Sequence, residues 1–538
     1  MMSAAVFFNV FRFVRMQPYA LTVDKFLDHA AKWHGLKEIV STVGSGIRRT
    51  TYAQVRERAA RLSGGLLDSG LRFGDRLATL AWNTEDHLSL SYAAMGIGLV
   101  CHTLNPRLSA RHLAAIVNEA GDRWMAVGEG LQPLLHEILP LCPCVEAVLV
   151  LDNEQVGQPF ASVSHQWELT DFLERSGRPT PWGGFDEESA AGLCYTSGTV
   201  GNPRGVLYTH RSNYLHTLRA LQADAVALTA EDTVLVAVPM FHANGWGFPF
   251  AAPAAGARMV LPGRSLDPKH LRALIEGEGV TVAAAVHTVW LGLVDLIDSQ
   301  GGQLPSLRRI LIGGSQCPDA LIKRIEERLG VRVQTSWGMT ELSPLGTISP
   351  ANAPRDSGPR SAGRPPMGLD LKLVDSEGAT LPVQRGVVGR LRVRGPSVAD
   401  RYFGDGQESA VDPEGYLDTG DLASIDAAGN LTIAGRVKDL IKSGGEWINP
   451  KEIEDIVGAL PAVALVAVVG REHSKWGERP VLIIEPRSNQ PLTEQLVLEA
   501  LRGKVPDWWL PDQVVFIDHM PLAATGKIDK RRLRERVS

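Results

Sequence analysis

Helix-type and strand-type segments alternate along most of this chain, and that alternation restricts it to a few architectures. Residues 54–70 and 84–100 carry apolar side chains at helical spacing, and residues 76–82 form an apolar run between them. The same pattern predicts strands at 231–240, 257–263, 280–286 and 307–315, and helices at 269–279 and 318–330. Strands separated by helices pair in parallel, so the sequence predicts an α/β fold with doubly wound sheets.

The pattern changes toward the C-terminus. Residues 386–395 alternate between apolar and polar as an antiparallel strand does, which predicts a β-subdomain. Further on, the sequence predicts helices at 450–460 and 493–505 and strands at 463–470, 480–486 and 514–517. About 100 residues are enough for an independent fold. We therefore expect a small α+β domain after a boundary within residues 435–447.

Composition excludes several classes of protein. A chain of 538 residues exceeds what one core usually holds, about 250–300 residues. A net charge of −5 offers no basic surface for nucleic acid, so no nucleic-acid partner is expected. Five scattered cysteines indicate a reducing compartment, and we predict a cytoplasmic protein without stable membrane insertion. Cys142 and Cys144 lack a second ligand pair at zinc-site spacing and are interpreted as buried thiols.

The stretch YTSGTVGNPRGVLYTHRS, residues 195–212, is rich in glycine and hydroxyl side chains. Its spacing is not that of a Walker loop. Its glycines allow successive backbone N–H groups to converge on one point, and its hydroxyls add donors, so the loop suits polyphosphate oxygens. A solvated surface loop is the alternative that this stretch alone leaves open.

Four later stretches accompany this loop in order: TSWGMTELSP (335–344), YLDTGDLASID (416–426), GRVKDLIKSGGEWINPKEIE (435–454) and PLAATGKIDKRRLRE (521–535). As a set they resemble the adenylate-forming superfamily of acyl-CoA synthetases, nonribosomal peptide adenylation domains and luciferases. FHANGW, HTLNPRLS and KSGGEW are most similar to bacterial acyl-CoA ligases of the fatty-acid and methylmercaptopropionate type. The resemblance implies an ATP-dependent acid:CoA ligase of fatty acid metabolism that uses ATP, Mg²⁺ and coenzyme A, and it is compatible with a homodimer.

The resemblance also assigns roles to residues. Lys527, His242 and Glu341 are the candidate catalytic residues, and Glu341 and Thr196 the candidate metal ligands. Trp337 would stack on adenine, Thr340 would contact the α-phosphate, and Asp421 would bind the ribose with Arg436. Lys438 would be the hinge between domains 1–437 and 438–538. The other candidate nucleotide- or CoA-binding residues are Ser197, Gly198, Thr199, Arg204, Gly314, Thr335, Ser336, Gly338, Lys442, Gly444, Gly445 and Trp447.

The acyl pocket is expected beside FHANGW and ILIGGS. His242 would orient the acyl group or assist thiol attack, because an imidazole titrates near neutrality. Trp246 matches a residue that gates the acyl tunnel in fatty-acid relatives. The remaining candidate substrate contacts are Ala243, His287, Gly313, Gly338, Met339 and Pro344.

Three residues depart from the family pattern. Val200 replaces the usual Thr, which removes a hydroxyl worth about 1 kcal/mol to a phosphate contact. Arg204 replaces Lys but keeps a cation that suits phosphate. His287 stands where relatives commonly have Pro, and is either a tolerated substitution or the mark of an unusual substrate. We expect retuned use of ATP and not its loss.

Two alternatives remain at this point. An adenylate-forming ligase that passes the activated group to an amine, or to another acceptor that is not CoA, would need most of the same residues. A scaffold that binds adenylates without catalysis is disfavoured by Glu341, Asp421 and Lys527. The sequence leaves short thioether acids, fatty acids and aryl acids all open as substrates.

Overall fold

The computed structural model describes residues 16–176, 178–196, 203–315, 317–351, 361–404, 408–487, 491–523 and 527–537. Its first part contains α1 (Asp24–Trp33), β1 (Glu38–Val43), β2 (Gly46–Thr51), α2 (Tyr52–Asp68), β3 (Arg76–Leu80), α3 (Glu85–Gly96), β4 (Val100–Thr103), α4 (Ala110–Ala120), β5 (Trp124–Val127), α5 (Gln132–Ile138), β6 (Ala147–Val150), β7 (His165–Glu168) and α6 (Leu169–Ser176).

The middle part continues with β8 (Ala190–Thr196), β9 (Arg204–Thr209), α7 (His210–Ala220), β10 (Thr233–Val236), α8 (Phe248–Ala255), β11 (Arg258–Leu261), α9 (Pro268–Glu278), β12 (Val282–Ala285), α10 (His287–Gln300), β13 (Arg309–Ile312), α11 (Asp319–Leu329), β14 (Arg332–Gly338) and β15 (Leu345–Ile348). These elements form two sheets with helices between the strands. One is ordered β7-β6-β5-β3-β4-β8-β9 and the other β15-β14-β13-β12-β10-β11-β1-β2.

Both sheets are parallel in their centres and antiparallel at certain edges. In the eight-stranded sheet every pair from β14 to β1 is parallel. The two edge strands are antiparallel to their neighbours, β15 to β14 and β2 to β1. In the seven-stranded sheet the antiparallel pair is β8 with β9. The predicted α/β fold with doubly wound sheets is confirmed. The central strands are buried on both faces, as parallel strands covered by helices must be.

The last part has two further sheets. Strands β16 (Asp370–Val374), β17 (Val388–Arg394), β18 (Leu417–Ile425) and β19 (Leu431–Arg436) pair antiparallel in sequence order. The alternating burial along β17 confirms the strand predicted at 386–395. A separate five-stranded sheet contains β20 (Ile441–Ser443), β21 (Glu446–Ile448), β22 (Val463–His473), β23 (Gly477–Pro486) and β24 (Gln513–Phe516), with α12 (Pro450–Gly458), α13 (Glu494–Leu501) and α14 (Lys530–Val537).

Each part has its own core. Buried side chains of the C-terminal sheet pack with α12 and α13 on one face and with Leu533 of α14 on the other. All five cysteines are free thiols. Within the described ranges, no helix combines the length and the apolar composition that crossing a membrane requires.

Candidate active site

The carboxyl ends of β12, β13 and β14 meet at one edge of the eight-stranded sheet. Ile312, the last residue of β13, pairs with Ala285 on one side and Thr335 on the other. The Ser336 hydroxyl donates to the Ile312 carbonyl oxygen at 3.2 Å. In open α/β sheets, ligands bind beyond this end of the strands. This edge carries five of the predicted site residues: Gly313, Gly314, Thr335, Ser336 and Trp337.

Trp337, Asp421 and Arg436 form a bonded group beside it. The indole N–H of Trp337 donates to Asp421 Oδ2 at 2.8 Å, and Arg436 Nε lies 2.7 Å from Asp421 Oδ1. Asp421 and Arg436 are cross-strand partners of β18 and β19. Asp421 is 2% exposed; burial raises the pKa of its carboxyl, and Arg436 opposes that effect. A carboxylate has about four acceptor positions, so two remain for a ligand's hydroxyls.

Glu341 and Thr340 lie in a short 3₁₀ turn, Thr340–Leu342, directly after β14. The Tyr402 hydroxyl donates to Glu341 Oε1 at 2.9 Å, and burial raises the pKa of Tyr402 to about 12, so that hydroxyl stays protonated. The Tyr208 hydroxyl donates to the Thr340 carbonyl oxygen at 2.7 Å. Sequence reasoning missed both tyrosines: Tyr402 lies outside the quoted stretches, and Tyr208, within 195–212, is 132 residues from Thr340.

The phosphate-type loop joins β8 to β9. Thr196 and Arg204 are its paired flanking residues, and the Arg204 N–H donates to Thr196 Oγ1 at 3.4 Å. The Arg204 guanidinium lies 4.9 Å from the ring centre of Tyr402, the residue that bonds Glu341. Ser197, Gly198, Thr199 and Val200 lie outside the described residues. Thr196, Arg204 and Glu341 are thus brought together through Tyr402.

These residues suit a magnesium ion. Tyr402 is the described side chain that bonds the Glu341 carboxylate, and it occupies one of the two oxygens. The Thr196 hydroxyl is a second oxygen donor, on a strand that contacts the Thr340–Leu342 turn. Mg²⁺ takes oxygen ligands and keeps several waters, so one carboxylate and one hydroxyl are an adequate protein contribution.

Lys527 reaches this group from the C-terminal part of the chain. A Cβ built on Gly314 would lie 3.7 Å from Lys527 Cε. Burial lowers the pKa of Lys527 to about 8, with Arg436 adding to the effect and Asp421 opposing it. The pKa of His242 falls to about 4, first through burial and then through Lys527. Lys527 therefore lies close both to the candidate nucleotide-binding residues and to a candidate acyl-pocket residue.

The FHANGW stretch forms an unusual turn. Residues Ala243 to Gly247 all have positive φ, between 39° and 75°. For residues other than glycine this costs about 1–2 kcal/mol each, and such strain persists where the surroundings fix it. The turn places the Trp246 indole over the edge of the sheet: a Cβ on Gly313 would lie 3.0 Å from Trp246 Cη2. The two glycines after β13 thus make room for the indole.

The other acyl-side residues have local partners. The Met339 N–H donates to the Pro344 carbonyl oxygen at 3.1 Å, and Gly338 lies too close to that oxygen to carry a side chain. His287 is the first residue of α10 and is buried, with Nδ1 3.0 Å from Ser315 Oγ. Burial lowers the pKa of His287 to about 4, so the ring is neutral at pH 7.

The KSGGEW residues are not part of this group. Gly444 and Gly445, with φ of 61° and 93°, form the two-residue turn of a hairpin between β20 and β21. Lys442 N–H donates to Glu478, and Trp447 is 53% exposed. Lys438 lies nearer to the Asp421 and Arg436 group, in the turn Val437–Asp439 that follows Arg436.

Comparisons with known proteins show which family this chain belongs to. The family model described as AMP-binding enzyme matches residues 26–403, and the AMP-binding enzyme C-terminal domain matches residues 452–527. A medium-chain-fatty-acid–CoA ligase of Ectopseudomonas oleovorans is 40% identical over 97% of this chain and 97% of its own length. A 3-methylmercaptopropionyl-CoA ligase of Ruegeria lacuscaerulensis is 41% identical over 97% of this chain and 98% of its own.

The fold is likewise that of a solved relative. The crystal structure of the anthranilate CoA ligase AuaEII in complex with anthranoyl-AMP superposes with a TM-score of 0.86 at 24% identity, covering 96% of this chain and 98% of its own. The sequence and fold matches thus extend over nearly the whole length, and the chain belongs to the AMP-binding enzymes of the adenylate-forming superfamily.

Proposed function

We propose that this enzyme joins a fatty or short substituted carboxylic acid to coenzyme A in two steps, with ATP converted to AMP and pyrophosphate. The names of the full-length relatives agree on acid:CoA ligation, which favours CoA over an amine as the acceptor. The observation that carries the proposal is the position of Lys527, whose charge is close to Asp421, Arg436 and Glu341.

The larger part of the chain would hold the nucleotide. Asp421, fixed by Trp337 and Arg436, accepts the ribose hydroxyls, and Trp337 lies against the adenine. Loop residues 196–204 and Thr340 donate to the phosphates. Glu341 and Thr196 hold Mg²⁺, which when bound offsets phosphate charge. Ser197, Gly198, Thr199, Gly314, Thr335, Ser336 and Gly338 complete this proposed site.

Lys527 would act in the first step. A carboxylate oxygen of the acid attacks the α-phosphorus, the bond to the bridging oxygen breaks, and pyrophosphate leaves with the electron pair. Negative charge builds up on the α-phosphate oxygens as two anions meet. An ammonium group held there in advance stabilises that charge more than water does, and removing one such donor typically costs about 100-fold to 1000-fold.

The second step needs a different set of residues. The CoA thiol gives up its proton to solvent, its sulfur attacks the acyl carbonyl carbon, and the bond from that carbon to the AMP phosphate oxygen breaks, so that AMP leaves with the electron pair. We propose that residues 438–538 turn about Lys438, which withdraws Lys527 and brings in the loop with Lys442, Gly444, Gly445 and Trp447. That loop is exposed and bonded only within the C-terminal sheet among the contacts described above, so it is available to move.

The acyl group would lie between the Ala243–Gly247 turn and the sheet edge. Its proposed contacts are His242, Ala243, Trp246, His287, Gly313, Gly338, Met339 and Pro344. His242 and His287 are both neutral at pH 7 because burial lowers their pKa values to about 4, so neither imidazole adds a cation beside Lys527. We further propose a cytoplasmic enzyme that forms a homodimer.

A panel of acids tests this function. Purified enzyme with ATP, Mg²⁺ and CoA is given 3-methylmercaptopropionate, alkanoates of 4 to 16 carbons and benzoate, and CoA thioesters are separated by chromatography. We expect thioester with at least one thioether or alkanoic acid and ATP–pyrophosphate exchange without CoA. Exchange with no thioester for any acid would favour a different acceptor, and the absence of both would reject the proposed function.

A further inference from the structure

Helix α7 begins directly after β9, and the side chain of its Arg219 contacts the residues that follow Glu341. Arg219 Nη2 donates to the carbonyl oxygen of Leu345 at 2.7 Å and lies 3.3 Å from that of Leu342. Its Nη1 donates to Ser397 Oγ at 2.7 Å. One guanidinium therefore connects both ends of the segment 342–345 to a residue of a distant loop.

The charge of Arg219 is balanced by carbonyl groups. The residue is 3% exposed, and burial lowers its pKa to about 10, which leaves it charged at neutral pH. Among the described residues no carboxylate pairs with it. A buried cation without a counter-ion is costly, so a chain that only needed a filled space here would be more stable with an apolar side chain. The fork of an Arg, in contrast, fixes several carbonyl groups in one geometry.

His216 lies one turn before Arg219 and holds the same segment. Its Nε2 accepts the Leu345 N–H at 3.1 Å, and burial keeps its pKa well below the ordinary value, so the ring is neutral and able to accept. The ring also packs against Gly247: a Cβ there would lie 2.6 Å from His216 Cε1. His216 thus touches the acyl-side turn and the Glu341 segment at once.

A further bond completes the set of contacts by which Arg219, His216 and Ser397 hold residues 341–345, which we call the clamp. The Ser343 hydroxyl donates to the Ser397 carbonyl oxygen at 3.0 Å, so Ser397 holds the segment directly as well as through Arg219. The Ala399 N–H, two residues on, donates to the Glu341 carbonyl oxygen at 2.8 Å. The backbone from the Glu341 carbonyl to Leu345 is therefore fixed from α7 and from the loop 397–399.

We propose that Arg219 and His216 are positioning residues that set Glu341 for the nucleotide and couple its position to the acyl-side turn. The proposal rests on the proposed role of Glu341. Misplacing a reacting group by about 1 Å costs on the order of 100-fold in rate. Loss of the clamp should therefore slow adenylation, whereas the thioester step, which starts from a finished acyl-adenylate, should change little.

Arg219→Met tests this, with Arg309→Met as the matched control. Arg309 is also a largely buried arginine whose pKa is lowered by burial, and it donates to the Val226 carbonyl oxygen at 2.7 Å, but it begins β13 at the end opposite Gly313. For each variant we would measure ATP–pyrophosphate exchange, thioester formation from synthetic acyl-adenylate, melting temperature and the Kd of ATP by calorimetry with and without Mg²⁺.

We expect only Arg219→Met to lose about 10-fold to 100-fold in exchange and the Mg²⁺-dependent part of ATP affinity, whichever way the two substitutions shift the melting temperature. Arg219→Lys keeps the cation with fewer donors and should fall between. This variant provides the same comparison if Arg219→Met does not fold. His216→Phe keeps the ring but not the acceptor and should raise the KM for both ATP and acid.

Two outcomes overturn the proposal in distinguishable ways. If the Arg219 variants equal Arg309→Met in exchange and ATP affinity while Glu341→Gln is defective, α7 is only a structural support and the positioning role is rejected. If Glu341→Gln itself exchanges and binds ATP like the unchanged enzyme, the proposed role of Glu341 is rejected, and the positioning role falls with it.

Discussion

Replacing Asp421 by Asn should separate nucleotide recognition from the rest of the site. The carboxylate has one oxygen toward Trp337 Nε1 at 2.8 Å and the other toward Arg436 Nε at 2.7 Å. An amide of the same shape keeps one acceptor oxygen and turns the other position into a donor. It can satisfy the indole or the guanidinium but not both, and its NH₂ group cannot accept from a ribose hydroxyl.

The size of the effect follows from these bonds. Asp421 is 2% exposed, so water cannot replace a lost partner, and a hydrogen bond to a charged group is worth about 1.5–3 kcal/mol. Loss of one such bond to the ribose, at about 1.4 kcal/mol per factor of ten, raises the Kd of AMP about 10-fold to 100-fold. Arg436, which is 41% exposed, can rehydrate and adds little to this loss.

Calorimetric titration with AMP and with 2′,3′-dideoxy-AMP gives the measurement and its control. The unchanged enzyme should bind AMP much more tightly than the dideoxy analogue, and Asp421→Asn should lose about 10-fold to 100-fold of that preference, because the interacting hydroxyls and carboxylate form one thermodynamic cycle. A variant that still prefers AMP by the original factor would refute the assignment of Asp421 to the ribose.

Three further changes have defined outcomes. The kcat/KM of adenylation should fall as pH rises through about 8, because Lys527 loses its charge above its lowered pKa, and Lys527→Arg should abolish that fall; an unchanged profile would contradict it. Val200→Thr should lower the KM for ATP about fivefold by restoring a hydrogen bond of about 1 kcal/mol. Unaltered ATP affinity and turnover would show that the missing hydroxyl does not retune the use of ATP. His287→Pro should leave the ranking of acids unchanged, since Pro suits the first position of a helix; a reordered ranking would make His287 a determinant of specificity.

Much of the fold was predictable because its signals are local. The apolar runs that became β3, β12 and β13 are short and bounded by helical segments, and their length and position identify them as strands. The antiparallel strand β17 alternates buried and exposed residues as its sequence does. The ends of the elements were predicted less accurately: the helix predicted at 84–100 ends at Gly96, and the apolar residues after it lie in the turn that leads into β4 and at the start of that strand.

The support around the site was not predictable from one sequence. Tyr402 bonds Glu341 across 61 residues, and Arg219 reaches Leu345 across 126, so neither pair leaves a local pattern. The family resemblance pointed to Glu341 as a candidate but to no residue that holds it.

The account depends on Lys527 acting in the first step and not in the second. The most direct measurement compares Lys527→Ala with the unchanged enzyme in two separate assays: ATP–pyrophosphate exchange with a substrate acid, and thioester formation from CoA and the preformed acyl-adenylate. We predict a loss of about 100-fold to 1000-fold in exchange with the thioester rate nearly unchanged. Equal losses in both assays, or full exchange activity in the variant, would contradict the account.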